Sequence, residues 1–95
     1  MPLQFEWDAR KAKANEAKHG VSFGEAITVF ADPLARIFED AEHSENERRE
    51  IIIGHSDRQN LLLVSFIEAG EWVRLITARK ATRTERKDYE ENVSS

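Results

Sequence analysis

The chain has 95 residues, of which 40% are hydrophobic and 34% are charged, as expected for one soluble domain with a single modest core. The sequence contains no cysteine, which excludes disulfides, thiolate metal sites and a cysteine nucleophile. No apolar run approaches the ~18 residues that span a bilayer, and the first residues lack the pattern of a signal peptide, so we expect a cytoplasmic protein with no membrane contact.

The net charge of −4 results from an uneven distribution of charged residues. Residues 9–18 carry four cations against one acid, and residues 72–88 carry six cations against two acids. Residues 32–50 carry seven acids against three arginines. Two basic segments therefore flank an acidic one, and the folded chain could present a positive face despite its negative total.

The first predicted elements are a short strand and a helix. Residues 5–7 alternate apolar and polar, and Asp8 is a good N-cap residue. The segment Ala9–His19 is rich in alanine and lysine, and Gly20 stands where a C′ glycine belongs. This pattern predicts a helix that begins after Asp8 and ends at His19.

A second helix is predicted after Ser22, because Ser22 and Glu25 form a capping box in which both side chains would bond to first-turn amides. Its apolar residues recur at helical spacing and would be buried against a sheet; they are Phe23, Ala26, Ile27 and Phe30. The pair Asp32-Pro33 ends this helix.

Four strand-like runs follow, at Ala35–Glu39, Arg48 or Arg49 to Gly54, Leu61–Ile67 and Trp72–Ala78. An acidic polar loop, residues 40–47, separates the first two runs. Gly70 lies in the short connection before the last run, where it can adopt the positive φ of a tight hairpin. We therefore predict an α+β fold in which a short N-terminal strand and two helices precede a four-stranded antiparallel meander.

The last predicted element is a third helix from Arg83 to about Asn92, marked by a capping box of Thr82 and Glu85. Its apolar residues are only Tyr89 and Val93. A helix with so narrow an apolar face is either frayed or completed by a partner.

Motifs for nucleotide hydrolysis, dinucleotide chemistry and serine hydrolysis are absent from the sequence. The three histidines lack the spacing of a zinc site, so neither a metal nor another cofactor is expected. The remaining Arg, Lys, His, Glu and Tyr residues suffice for metal-independent RNA cleavage. In that reaction a base removes the 2′-OH proton, cations hold the phosphorane charge, and an acid protonates the leaving 5′-oxygen.

Arg79 is the candidate phosphate ligand, because it ends a strand beside a helix N-terminus. The alternative is an ion pair with an acid of the third helix or of the 40–47 loop. Strict alternation places Arg74 and Arg79 on opposite faces of their strand, so only a bulge would bring them to one face.

Other candidates also carry two interpretations. His19 follows Lys18 at a helix C-terminus, where a favourable interaction with the helix dipole is the alternative to catalysis. Glu47 and Arg48 open a strand and face the same surface as Arg79, or are exposed strand-end charges.

A set of motifs extends along nearly the whole chain, from Phe5 to Glu91. They are Phe5-Glu6-Trp7-Asp8, Lys11, Asn15, Lys18-His19-Gly20-Val21-Ser22-Phe23, Glu25-Ala26, Asp32-Pro33, Glu47-Arg48, Gly54, Arg74-Leu75-Ile76, Ala78-Arg79, Ala81-Thr82, Glu85-Arg86 and Tyr89-Glu90. Together these motifs resemble the BrnT toxins of bacterial type II toxin–antitoxin systems.

The resemblance implies a compact RelE-like fold and a ribonuclease that stops translation. It also implies a BrnA-type antitoxin. Two toxins and two antitoxins would form a heterotetramer that represses transcription, and this complex would contact operator DNA through the antitoxin. Carried over by position, the catalytic candidates are Arg79, His19, Glu47 and Arg48, and the RNA-binding candidates are Lys18, Arg74, Lys80, Arg83 and Arg86. Tyr89 and Glu85 are candidate antitoxin contacts. The first hypothesis is therefore a metal-independent endoribonuclease that leaves a 2′,3′-cyclic phosphate and a 5′-hydroxyl, with Arg79 on the scissile phosphate and His19 or Glu47 as the proton carrier. The second hypothesis is a catalytically weak or inactive binding module that acts through its antitoxin complex.

Overall fold

The structure is a computed structural model that describes residues 4–44 and 47–94, the last two by their backbone. Its strands are β1 (Gln4–Glu6), β2 (Arg36–Glu39), β3 (Arg49–His55), β4 (Leu61–Ala69) and β5 (Trp72–Lys80). Its α-helices are α1 (Ala9–His19), α2 (Phe23–Ala26) and α3 (Arg83–Ser94), with 3₁₀ segments at Ile27–Ala31 and Ala41–His43. The predicted α+β class is confirmed.

The sheet has the strand order β1-β5-β4-β3-β2. The meander from β2 to β5 is antiparallel throughout, whereas β1 pairs in parallel with β5 from Gln4 opposite Trp72 to Glu6 opposite Arg74. The sheet therefore departs from the predicted four-stranded antiparallel one in a single respect: the short N-terminal strand, predicted to precede the meander, joins it in parallel, so the sheet is mixed and five-stranded. The half-buried ring of Phe5 in β1 packs against Phe30, with ring centroids 5.1 Å apart. This contact helps to hold the short strand beside β5.

Helix α1 has the predicted bounds and the predicted caps. The Asp8 carboxylate accepts the N–H of Arg10 at 2.8 Å, and Gly20 ends the helix in the left-handed conformation with φ 69°. Asn15 is 6% exposed and ties this helix to β5: its amide donates to the carbonyl of Ala78 at 2.8 Å and accepts the N–H of Ala78 at 3.0 Å. The helix is thereby held against β5 at Ala78, the residue before Arg79.

Helix α2 is α-helical for only four residues before it tightens into the 3₁₀ segment. The Ser22 hydroxyl accepts the Glu25 N–H at 3.0 Å, as predicted. The Glu25 carboxylate departs from the prediction, because it accepts the Ser56 hydroxyl at 2.7 Å and the Asn60 amide at 2.8 Å. This half of the capping box therefore anchors the β3–β4 loop to α2 rather than closing the helix.

The two faces of the sheet bury separate clusters. The face under α1 and α2, here the helix-pair face, holds the main core, including Phe23, Phe66 and Leu75. The opposite face, here the α3 face, buries Ile53, Leu61, Leu63 and Tyr89. Helix α3, predicted to be frayed or completed by a partner, docks on its own sheet through Tyr89, which is 5% exposed.

A bulge changes the predicted alternation along β5. Ser65 and Phe66 are consecutive on β4, but they lie opposite Thr77 and Leu75, so Ile76 is the extra residue. Leu75 is therefore buried on the helix-pair face together with Ala78. Arg74 and Arg79 share the α3 face, because the side chains of a strand alternate and the bulge inverts the order once.

Candidate functional site

A cleft of about 320 Å³ opens on the α3 face, next to the 3₁₀ segment Ala41–His43. Its floor comes from three neighbouring strands and its rim from charged residues; the lining is Asp40, Glu42, His43, Arg49, Ile51, Leu63, Ser65, Thr77 and Arg79. We name it the α3-face cleft. It combines two guanidinium groups with an imidazole and carboxylates over a partly apolar floor.

Arg79 reaches this cleft from β5, opposite Leu63 of β4. Its guanidinium donates through Nη1 and Nη2 to the two carboxylate oxygens of Glu85, at 2.8 and 2.9 Å, and through Nη1 to the carbonyl of Lys80 at 3.3 Å. The hydrogen bonds between Arg79 and Glu85 raise the pKa of Arg79 and lower the pKa of Glu85 to about 2. The ion pair with an acid of the third helix, one of the two interpretations from sequence, is therefore present.

Arg49 is the second guanidinium of the cleft and was not among the sequence candidates. It lies on β3 opposite Ile67. It is on the same face of the strand as Ile51 and Ile53, because every second residue of a strand shares a face. The candidate Arg48 precedes the strand, is 71% exposed, and has its guanidinium 3.8 Å from Glu39. The period of two that runs back from Ile53 would have selected Arg49 from the sequence.

His43 contributes the imidazole, and sequence reasoning also missed it. Its Nδ1 lies 2.9 Å from the Asp40 carboxylate, three residues earlier across the 3₁₀ turn. The turn is joined to the start of β3, because the Asp40 N–H donates to the Arg49 carbonyl and the Arg49 N–H donates to the Ser44 hydroxyl, both at 2.9 Å. The i, i+3 spacing of Asp40 and His43 was the available signal.

His19 and Lys18 lie elsewhere, in a groove of about 280 Å³ between α1 and the edge of β5. Lys11 and Asn15 line the same groove, and Thr77 lines both this groove and the α3-face cleft. The edge of β5 therefore separates the predicted proton carrier His19 from the predicted phosphate ligand Arg79.

Glu47 is exposed just before β3 and does not line the α3-face cleft. The other RNA-binding candidates lie on β5 and α3. Arg74 is exposed on the α3 face, and Lys80 lies near the Glu25 carboxylate. Arg83 and Arg86 are exposed on α3. None of these four cations lines the α3-face cleft with Arg79, and their role in RNA binding stays a prediction.

The two predicted antitoxin contacts are engaged within the chain. Tyr89 packs against the ring of His55, with centroids 5.6 Å apart, and its hydroxyl donates to the Leu34 carbonyl at 3.3 Å. Glu85 closes a reciprocal capping box with Thr82: each accepts the other's backbone N–H, at 2.8 and 3.1 Å. A role for either residue in antitoxin binding stays a prediction.

The described residues contain no group of three His, Cys, Asp or Glu side chains arranged to hold a metal ion. Over the same ranges, none of the helices has the length and apolar character needed to cross a membrane.

Comparisons with known proteins point to one family. The family model described as "Ribonuclease toxin, BrnT, of type II toxin-antitoxin system" matches residues 7–85. The 1.1 Å crystal structure of the Brucella abortus ribonuclease toxin BrnT is similar to this chain with a TM-score of 0.67 and 24% sequence identity, over 86% of this chain and 100% of that one. At this identity the likeness shows the fold. No curated protein matches the sequence.

Proposed function

This chain belongs to the BrnT family of ribonuclease toxins of type II toxin–antitoxin systems, and on that basis we propose that it is a metal-independent endoribonuclease whose active site is the α3-face cleft. The products are a 2′,3′-cyclic phosphate and a 5′-hydroxyl. The observation that carries the proposal is the presence of Arg49 and Arg79 in one cleft. A guanidinium group can bind two phosphate oxygens in a bidentate manner, and it stabilises the negative charge that develops on the phosphorane.

The pairing of Arg79 with Glu85 is compatible with phosphate binding. A guanidinium has five N–H donors, and the contacts among the described residues engage three of them. The edge formed by Nε and Nη2 keeps one N–H on each atom, and this edge has the same fork geometry as the one that holds Glu85. Glu85 thus fixes the guanidinium plane while the other edge receives the phosphate.

Three tests on purified protein address this proposal. Wild-type chain is incubated with RNA in EDTA, and we expect cleavage that Arg79→Ala abolishes while its unfolding transition stays cooperative. The new 5′ ends should accept phosphate from a polynucleotide kinase without prior phosphatase treatment, because they are hydroxyls. Cleavage only in the presence of a divalent metal would contradict metal independence, and 5′-phosphate ends would contradict the product chemistry.

We further propose that the cleavage stops translation and that a BrnA-type antitoxin neutralises it, as family membership supports. A heterotetramer of two toxins and two antitoxins would then contact operator DNA through the antitoxin. Expression of the chain alone should arrest protein synthesis in cells, and co-expression with the antitoxin should restore it. Arrest by the Arg79→Ala variant would separate toxicity from RNA cleavage.

The cleft also favours a second candidate, a weak or inactive toxin retained as a binding module. Asp40 and Glu42 line the α3-face cleft together with the two arginines, and carboxylates there repel an RNA phosphate. Tight antitoxin binding by a chain that does not cleave RNA at any concentration would support this candidate over the nuclease.

A further inference from the structure

We propose that His43, held by Asp40, is the general base of the α3-face cleft, the group that removes the 2′-OH proton. This assignment rests on the proposed ribonuclease function. It replaces the two carriers suggested by the sequence, since His19 lies across the edge of β5 and Glu47 lies outside the residues that line the cleft.

The contact between Asp40 and His43 has the geometry of a base with its orienting carboxylate. The Asp40 side chain is 14% exposed and its Oδ2 lies 2.9 Å from Nδ1 of His43, whereas the imidazole is 58% exposed. With the proton on Nδ1 donated to Asp40, Nε2 carries the lone pair and can accept a proton. The carboxylate then stabilises the imidazolium that forms, as in other pairs of this kind.

The pair of Asp40 and His43 is held in a fixed position relative to Arg49, one of the two proposed phosphate ligands. The Ser44 hydroxyl donates to the Asp40 carbonyl at 2.7 Å and accepts the Arg49 N–H at 2.9 Å, so one side chain joins the turn that carries the dyad to the strand that carries Arg49. Arg49, His43 and Arg79 line the same cleft. A phosphate between the two guanidinium groups would place an adjacent ribose within the space that the imidazole borders.

The proposed step conserves atoms and charge. Nε2 of His43 takes the proton of the 2′-OH as the 2′-oxygen forms a bond to phosphorus. The bond from phosphorus to the 5′-oxygen breaks, and this oxygen takes a proton from water. The imidazolium then returns its proton to solvent. Arg49 and Arg79 hold the non-bridging oxygens while their negative charge increases.

The decisive experiment separates catalysis from binding. Affinity is measured with an RNA whose cleavage-site nucleotide is 2′-deoxy and therefore not cleavable, and kcat is measured with the matching all-ribose RNA. For His43→Ala we expect kcat to fall by about 100-fold or more, the usual effect of a lost general base, with Kd changed less than twofold. Added imidazole should restore part of the activity of His43→Gly, whereas Arg79→Ala should not respond to it.

The matched control is His55→Ala. His55 is a half-buried histidine on the other end of the same strand as Arg49, packed against Tyr89. Its variant should keep the wild-type kcat.

Two results would overturn the assignment while leaving the nuclease intact: wild-type kcat in His43→Ala, or a loss of kcat in His19→Ala that His43→Ala does not share. Absence of cleavage by the wild-type chain itself would refute both proposals.

Discussion

Arg79 and Glu85 form a two-pronged ion pair, with Nη1 to Oε1 at 2.8 Å and Nη2 to Oε2 at 2.9 Å. The pair joins the end of β5 to the first turn of α3. Glu85 also accepts the Thr82 N–H at 2.8 Å, so a single carboxylate caps the helix and orients the guanidinium. The position of Arg79 in the α3-face cleft therefore depends on how α3 begins.

Glu85→Gln should destabilise the chain in a pH-dependent way. The hydrogen bond from Arg79 lowers the pKa of Glu85 from 4.5 to about 2. A carboxylate with a lowered pKa stabilises the fold above its unfolded value, and that contribution is lost as the pH falls toward the folded value. We expect the wild-type chain to exceed Glu85→Gln by about 1 kcal/mol in free energy of unfolding at neutral pH, because the pair is partly exposed.

Urea unfolding at neutral pH and at steps between pH 4.5 and 2 measures this difference, which should shrink across that window. Glu90→Gln is the control, since Glu90 is exposed on the same helix. A difference that does not change with pH would show that Glu85 acts without its charge.

Arg49 and Arg79 should each contribute to the salt dependence of RNA binding. The slope of log K against log salt is negative, and removal of one phosphate contact makes it less negative by about 0.7 for single-stranded RNA. Arg49→Ala and Arg79→Ala should each show this change with the 2′-deoxy RNA. Arg49→Lys should keep the slope and lose cleavage, because lysine retains the charge without the fork.

The control for these variants is Arg58→Ala, in the exposed β3–β4 loop away from the α3-face cleft. Filter binding at several salt concentrations gives the slopes. An unchanged slope for Arg49→Ala would remove Arg49 from the proposed phosphate site.

Asn15→Ala should lower the free energy of unfolding by roughly 2–4 kcal/mol. The amide of Asn15 donates to the carbonyls of Val21 and Ala78, and its oxygen accepts the Ala78 N–H, so truncation leaves buried backbone groups unpaired. Asn15→Asp should be at least as destabilising, because a carboxylate cannot donate to either carbonyl. Lys13→Ala on the exposed side of the same helix should stay within about 0.5 kcal/mol of wild type in urea unfolding. If Asn15→Ala changed the free energy of unfolding as little as Lys13→Ala, the hydrogen bonds of Asn15 would not stabilise the fold as predicted.

Gly54→Ala and Gly24→Ala should differ in sign. A Cβ at Gly54 would lie 2.8 Å from the Ala35 Cβ and 3.0 Å from Asp32 Oδ2, so this variant should lose about 1–3 kcal/mol by overpacking. A Cβ at Gly24 meets only Ser22 Oγ at 3.8 Å, and alanine there should be neutral or stabilising by up to about 1 kcal/mol. Thermal unfolding of the two variants compares them directly. Equal stability would mean that β3 can shift away from the segment that carries Ala35.

The sequence alone determined the local elements, because their signals are local. Asp8 and Gly20 bound α1 through backbone hydrogen bonds within a few residues, and Thr82 with Glu85 starts α3 in the same way. Family membership was also readable, since the motifs extend over most of the chain and the family model matches residues 7–85.

Only the tertiary structure decided which side chains meet. The bulge at Ile76 brings Arg74 and Arg79 to one face, and its position depends on how β4 and β5 pair rather than on any residue type. The strand order places Arg49 of β3 beside a cleft that Arg79 enters from β5, and it leaves His19 across the sheet edge. Contacts between residues distant in the chain follow from sheet register and helix docking, which local patterns do not encode.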